Sequence, residues 1–165
     1  MILQNEKVDI CSDCDFSYSN ITGTGFNGVS AVDCDFSEIT INNCSMISAQ
    51  LDNVMLEDAA IEKCNMISAR LDNVVLENAS IESGNMSSVH IKDVAMTGAK
   101  MKCGDIRKGR FESVDMGETV FKGCDLSGVK LENCNLEGLA ISSCRISGMT
   151  IDGIPVKELL EKYYS

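Results

Sequence analysis

Tryptophan is absent, proline occurs once, at Pro155, and histidine once, at His90. Aromatic residues make up only 5% of the chain. A conventional globular core is thereby short of large side chains. A lone histidine cannot build a catalytic triad or a histidine-rich metal site, and His90 reads as a solvated surface residue. No run of about 18 apolar residues exists, so nothing is expected to span a membrane. The opening MILQNEKVDI has neither the basic nor the apolar region of a secretory signal. A cytoplasmic protein is therefore expected. Positive charge is also scarce, with 14 Lys/Arg against 25 Asp/Glu and a net charge of −11. A nucleic-acid binder carries the opposite sign, so direct nucleic-acid contact is not expected.

The charge is uneven. Residues 1–99 hold 15 Asp/Glu and 4 Lys/Arg, and residues 100–165 hold 10 of each. All of the excess lies in the first part. Solubility alone accounts for such an excess; an electronegative surface for a basic or DNA-binding partner is the functional reading.

What is present is a repeat. Cys44–Lys63 and Cys64–Ser83 match at 14 of 20 positions. Inside this unit lies a period of five. From Phe16 to Ile151 every fifth residue is apolar, 28 positions without a break. Two residues before each of these centres stands an uncharged, non-aromatic residue, most often Ala, Val, Cys or Gly. A step of five fits neither a helix, where it wanders around the axis, nor a flat strand, where an odd step changes face. It fits a chain that turns a corner every five residues. The centre and the residue two before it then point inward, and the intervening residue points out. The next two residues form the corner and are rich in Ser, Asn, Asp, Glu and Gly, as turns require. Identity at a shift of 20 makes four corners per coil, since stacked positions in a solenoid resemble each other. Residues 14–154 thus read as an all-β, four-sided parallel β-helix of about seven coils. At about 4.8 Å per coil the shaft is roughly 34 Å long. It is filled by side chains, with no room for a substrate.

Residues 1–13 read as an N-terminal cap, with Ile2, Val8 and Ile10 placed to cover the first coil. Residues 155–165 read as a C-terminal helix opened by Pro155 at its first position. Val156, Leu159, Leu160, Tyr163 and Tyr164 share one face of it. That face should bury against the last coil or against a second copy in a homodimer. Glu158 and Lys162 are spaced as an i,i+4 pair.

Cys34-Asp35-Phe36-Ser37, Cys124-Asp125-Leu126-Ser127 and Cys134-Asn135-Leu136-Glu137 resemble the repeating unit of the pentapeptide-repeat family, with Cys in place of Ala. The resemblance extends over most of the chain. It implies a right-handed quadrilateral β-helix, the hand that the crossover rule for parallel strands also favours. Asp or Asn occupies the position before the centre at 9 of 28 places, and Met is common at the centre. No pocket, nucleophile–base pair or metal constellation is readable, so a non-enzymatic protein without cofactors is expected, a scaffold for a protein partner of unspecified identity. One group of that family resembles B-form DNA in shape and charge, binds DNA gyrase and protects it from quinolones. Those proteins look like rods dimerised at the C-terminus. A gyrase-binding DNA mimic is the alternative reading; this chain lacks the loop insertions that many such members carry.

Three sets of side chains stand out. The acidic set places Asp13, Asp33, Asp52, Asp72, Asp93, Glu112, Glu132 and Asp152 along one edge. Asp52 stacks on Asp72 and Glu57, beside Asp58, on Glu77. Stacked like charges in water repel by roughly 0.8 kcal/mol a pair. Duplication of the 20-residue unit explains the stacking without function; a carboxylate ladder for a basic groove explains it with one. The cysteines form the second set. Of nine, Cys14, Cys34, Cys44, Cys64, Cys124, Cys134 and Cys144 take the small inward position, where Cys packs like Ala. Reduced thiols are expected, and Cys11-Ser12-Asp13-Cys14 has no second pair at zinc spacing. Cys103 falls at a corner, where a thiol is exposed. The third set is the basic group Lys100, Lys102, Arg107, Lys108 and Arg110, read as charge balance beside acidic neighbours. Ile47, Ile67, Met55 and Val75 are apolar at outward positions and mark a candidate contact patch.

Overall fold

A computed structural model describes residues 2–3, 11–102 and 104–164. Val8 and Ile10 of the expected cap, and Cys103, lie outside these. The chain winds as a four-sided parallel solenoid of about seven coils. Two opposite sides carry three-residue strands. One sheet stacks the strands centred on Ile21, Ile41, Ile61, Ile81, Met101, Phe121 and Ile141. The other stacks those centred on Ala31, Leu51, Leu71, Ile91, Phe111 and Leu131. The remaining two sides pair through single residues, Asp15 to Asn135 and Gly25 to Arg145, each to the residue 20 on. The register is 20 throughout these ladders, as the repeat requires. At the start, Ile2–Leu3 pairs with Asn20–Ile21 instead, a shift of 18.

Two local devices make the corners. Among the described residues, the residue two after the centre takes a positive φ, from Asp13 at 56° onward, with 20 non-glycine and 8 glycine examples. This left-handed conformation costs an ordinary L-residue about 1–2 kcal/mol. Asn, Asp and Gly tolerate it best, yet Tyr18, Lys63 and Lys108 adopt it too. The corners also alternate in kind. At every second one the chain closes a hydrogen-bonded turn, as from Ser19 N to Phe16 O (3.2 Å) and Ala79 N to Leu76 O (3.1 Å). Positive φ at the third residue is the type II signature. Just before these turns the outward Asp or Asn accepts from the backbone two residues on. Asp35 Oδ1 takes the Ser37 N–H at 2.8 Å, and Asp115 Oδ1 the Gly117 N–H at 3.0 Å. This is the physical reason for Asp and Asn in the repeat.

The core is a stack of ladders. Ile39, Leu76, Met86, Ile91, Met96, Met101 and Phe111 are wholly buried. Phe16 and Phe36 stack with centroids 5.4 Å apart. Side chains fill the shaft except at one small place near its start. An apolar cavity of about 50 Å³ lies among Phe16, Phe26, Ala31, Phe36, Leu51 and neighbours. Its cause is Ala31, which stands in a column otherwise occupied by Leu51, Leu71, Ile91 and Phe111. Cavity volume costs about 24 cal/mol per Å³, about 1 kcal/mol here. Ala31→Val adds two methyl groups and a β-branched residue that suits a strand. Thermal or urea unfolding should show it more stable by about 1 kcal/mol; a loss of stability would show that the space is too narrow to fill.

The C-terminal expectations are met in part. The helix spans Val156–Tyr164. Pro155 is not its first residue: it lies in a short strand, Ile154–Pro155, that folds back antiparallel on Thr150–Ile151. A proline lacks the N–H of a ladder but tolerates such an edge. Val156 packs partly on the core and its N–H reaches Met149 O at 3.0 Å. Leu159, Leu160, Tyr163 and Tyr164 stay exposed, the tyrosines above 80%. The apolar face of the helix is thus not buried against the last coil. Lys157 and Glu161 form an i,i+4 ion pair at 3.7 Å.

Candidate functional site

Asp52 and Asp72 are direct partners across neighbouring strands. One residue further along the chain, Asp13, Asp33, Asn53, Asn73 and Asp93 take the left-handed corner conformation. These two adjacent columns form one edge of the shaft. The next edge carries Glu57, Asp58 and Glu77. Between the two edges runs the side whose outward residues are Asp15, Asp35, Met55, Val75, Ala95, Asp115 and Asn135. Met55 is exposed and Val75 half-buried. The sequence treats the acids and the apolar patch as separate features. The structure brings them together: an apolar strip, Met55–Val75–Ala95, flanked on both sides by carboxylates at Met55 and Val75. Ile47 and Ile67 lie elsewhere, half-buried at a different corner.

The acidic edge is a mosaic. Asn53 Nδ2 donates to Asp33 Oδ1, and Asn73 Nδ2 to Asn53 Oδ1 at 3.0 Å. Lys92 interrupts the column between Asp72 and Glu112, and its Nζ lies 3.6 Å from Asp93 Oδ2. Asp152 Oδ1 accepts the Asn133 N–H. Asp52, Asp72, Glu57, Asp58 and Glu77, among the described residues, have neither a cation within ion-pair distance nor a side-chain hydrogen bond. They are free carboxylates.

Several other acids are engaged. The Ser17 hydroxyl and backbone hold the Asp15 carboxyl below its ordinary pKa, and Ser127 does the same for Asp125. Arg107, at 2.7 Å, lowers Asp105. Lys102, at 2.9 Å, lowers Glu82.

The cysteine ladders lie where the spacing puts them. Cys34, Cys44, Cys64 and Cys124 are buried, and Cys134 and Cys144 half-buried. Their thiols lean on backbone carbonyls, as Cys124 Sγ on Met101 O at 3.2 Å. Sharing its proton with Cys44, together with burial, pushes the Cys64 thiol far up. Burial also raises Cys134 and Cys144. Raised thiols are poor nucleophiles, whereas the same hydrogen bond with Cys64 lowers the Cys44 thiol to about 6. Cys14 is the exception to the expectation of reduced thiols, being disulfide-bonded.

His90 also departs from expectation. It is half-buried, with Nε2 enclosed and 3.8 Å from Glu112 Oε2. Among the described residues no group of three or more His, Cys, Asp or Glu is placed to hold a metal ion. Among the described residues no helix is long and apolar enough to cross a membrane.

A family model described as pentapeptide repeats (8 copies) matches residues 105–138. No curated protein matches the chain. Among solved structures it is similar to a trypsin-treated form of QnrB1, a plasmid-mediated fluoroquinolone resistance protein. That likeness has 13% identity and a TM-score of 0.49 over 100% of this chain and 96% of the other. It is similar to HetL, a pentapeptide repeat protein involved in heterocyst differentiation regulation in the cyanobacterium Nostoc, at 10% identity and a TM-score of 0.32, covering 92% and 91%. It is also similar to a pentapeptide repeat protein of the Arabidopsis thaliana thylakoid lumen, at 22% identity and a TM-score of 0.36, covering 72% and 65%.

Proposed function

We propose that this pentapeptide-repeat chain is a non-enzymatic interaction scaffold that holds a basic, partly apolar segment of a protein partner. The observation that carries the reading is the strip Met55–Val75–Ala95 between unpaired carboxylates. A partner presenting apolar side chains flanked by Lys or Arg would cover the strip and meet a carboxylate on either side. Charge complementarity of this kind sets partner choice and association rate more than raw affinity.

The alternative, a DNA mimic acting on gyrase, calls for a continuous negative stripe. Lys92 and the Asn53–Asn73 pair interrupt the stripe, which favours the scaffold reading.

A fluorescent peptide alternating Lys and Leu serves as the probe, with its Glu–Leu counterpart as control. Only the Lys peptide should bind. The variants Met55→Asp and Asp52→Lys/Glu57→Lys should each weaken it at least tenfold. Undiminished binding to Met55→Asp would remove the strip from the argument. If instead the protein inhibits gyrase supercoiling, and the charge-reversed variant does not, the DNA-mimic reading replaces this one.

A further inference from the structure

Charge on the shaft is sorted by edge, and one edge has the opposite sign to the chain. The strand register stacks Arg70 on His90, His90 on Arg110 and Arg110 on Lys130. These residues lie 20 apart in the chain, so three cations and a histidine are spread over four consecutive coils at about 4.8 Å per coil. Lys108, two residues before Arg110, extends this column around the corner. The basic cluster read from the sequence therefore splits. Lys102 and Arg107 are neutralised by Glu82 and Asp105. Among the described residues, Arg70, Lys108, Arg110 and Lys130 pair with no carboxylate and donate no side-chain hydrogen bond.

The surroundings are those of an anion site. From residue 27 onward, the two corner columns beside this one hold Asn27, Gly28, Ile47, Ser48, Ile67, Ser68, Ser87, Ser88, Arg107, Lys108, Ser127, Gly128, Ser147 and Gly148, without a carboxylate among them. A shallow groove of about 430 Å³ is lined by Ser88, His90, Lys108, Gly109, Arg110 and Lys130, among others. Gly128, where a Cβ would stand 3.7 Å from Lys108 Cγ, adds no side chain to it. The nearest acids, Asp72, Glu112 and Glu132, stand two residues on along the same strands and on the same outward face, Glu112 Oε2 lying 3.8 Å from His90 Nε2. Stacked cations repel as stacked acids do, roughly 0.8 kcal/mol a pair in water. An anion with charges spaced like the coils would remove that repulsion and take two or three cations at once.

We infer that this groove binds a small linear polyanion of the polyphosphate class. Arg110, with its planar fork of donors, takes one phosphoryl group in bidentate fashion. Lys108 and Lys130 hold the neighbouring groups as point charges, and the Ser88 hydroxyl lies at the groove wall. The acidic remainder of the shaft repels nucleic acid, whose long backbone would extend onto it, and so favours a short anion. This site is independent of the proposed scaffold strip, which lies on another side.

Titration calorimetry with tripolyphosphate in low salt tests the inference. One site per chain is expected. Arg110→Glu/Lys130→Glu should weaken binding at least tenfold, and Lys122→Glu, a cation on another side, should leave it within twofold. The three proteins should show matching circular dichroism and melting, since all the altered residues are exposed. No heat at millimolar tripolyphosphate would overturn the site. So would equal losses in both variants, which would mean diffuse attraction only. Tighter binding of a single-stranded oligonucleotide or an acidic peptide than of tripolyphosphate would overturn the ligand class.

Discussion

Replacing Phe111 by alanine is expected to lower the unfolding free energy by about 3–5 kcal/mol. The ring is wholly buried. It sits between Ile91 and Leu131 in its column and meets Phe121 edge-on, with centroids 6.2 Å apart and planes at 88°. The neighbouring coils are tied by backbone hydrogen bonds on both sides, such as Arg110 N to Val89 O and Lys130 N to Gly109 O. They cannot close in on the space, so the cavity should persist and the full penalty be felt. Urea unfolding would measure it as a lower midpoint at unchanged slope. A loss under about 1 kcal/mol would mean that the coils collapse around the gap. A shallower slope would mean that the shaft has begun to unfold in sections, as repeat proteins can when neighbouring coils uncouple.

Gly84→Val should cost about 1–3 kcal/mol or more, and Gly104→Ala almost nothing. The two glycines are stacked neighbours in the column that also holds Cys44, Cys64, Cys124 and Cys144. A Cβ on Gly84 would stand 2.9 Å from the Cys64 carbonyl oxygen. That oxygen already accepts the Asn85 N–H at 3.1 Å, so relief of the clash would disturb the link between coils. A Cβ on Gly104 has its nearest neighbour 3.9 Å away, an ordinary contact. Melting of the two variants beside the parent would show the difference. Equal losses would mean that glycine matters in this column for backbone freedom and not for space.

The sequence carried the coil through side chains that must be apolar, and these repeat without a gap. The corner chemistry was only half legible. Ser, Asn, Asp and Gly marked the turns, but Lys63, Lys108 and Tyr18 at positive φ carry no such mark, because stacking overrides their local preference. A finer signal was present and unread. Eight of the nine Asp or Asn residues before a centre, all but Asn20, have numbers ending in five. That period of ten separates the two kinds of corner. The acid columns followed from the shift of 20. The same shift applied to the cations would have aligned Arg70, His90, Arg110 and Lys130; contiguity in sequence drew attention to residues 100–110 instead. The merging of Met55 and Val75 with the acids needed the corner angles. The exposure of Leu159, Leu160 and both tyrosines depends on where Ile154–Pro155 turns the chain back, which periodicity does not encode.

The constant register has a kinetic side. Almost every pairing in the shaft joins residues 20 apart, so a characteristic separation of 20 over 165 residues gives a relative contact order near 0.12. Sandwiches and barrels dominated by distant pairings lie at about 0.16–0.22 and fold in milliseconds to seconds, whereas about 0.12 is the border between helical and mixed domains. An all-β chain is thus given short loops to close. Once two coils have met, each further coil adds to a finished edge after closing only its own 20 residues. The rod should therefore grow outward from its best-packed middle coils, and its two ends should be the last parts to form and the first to fray.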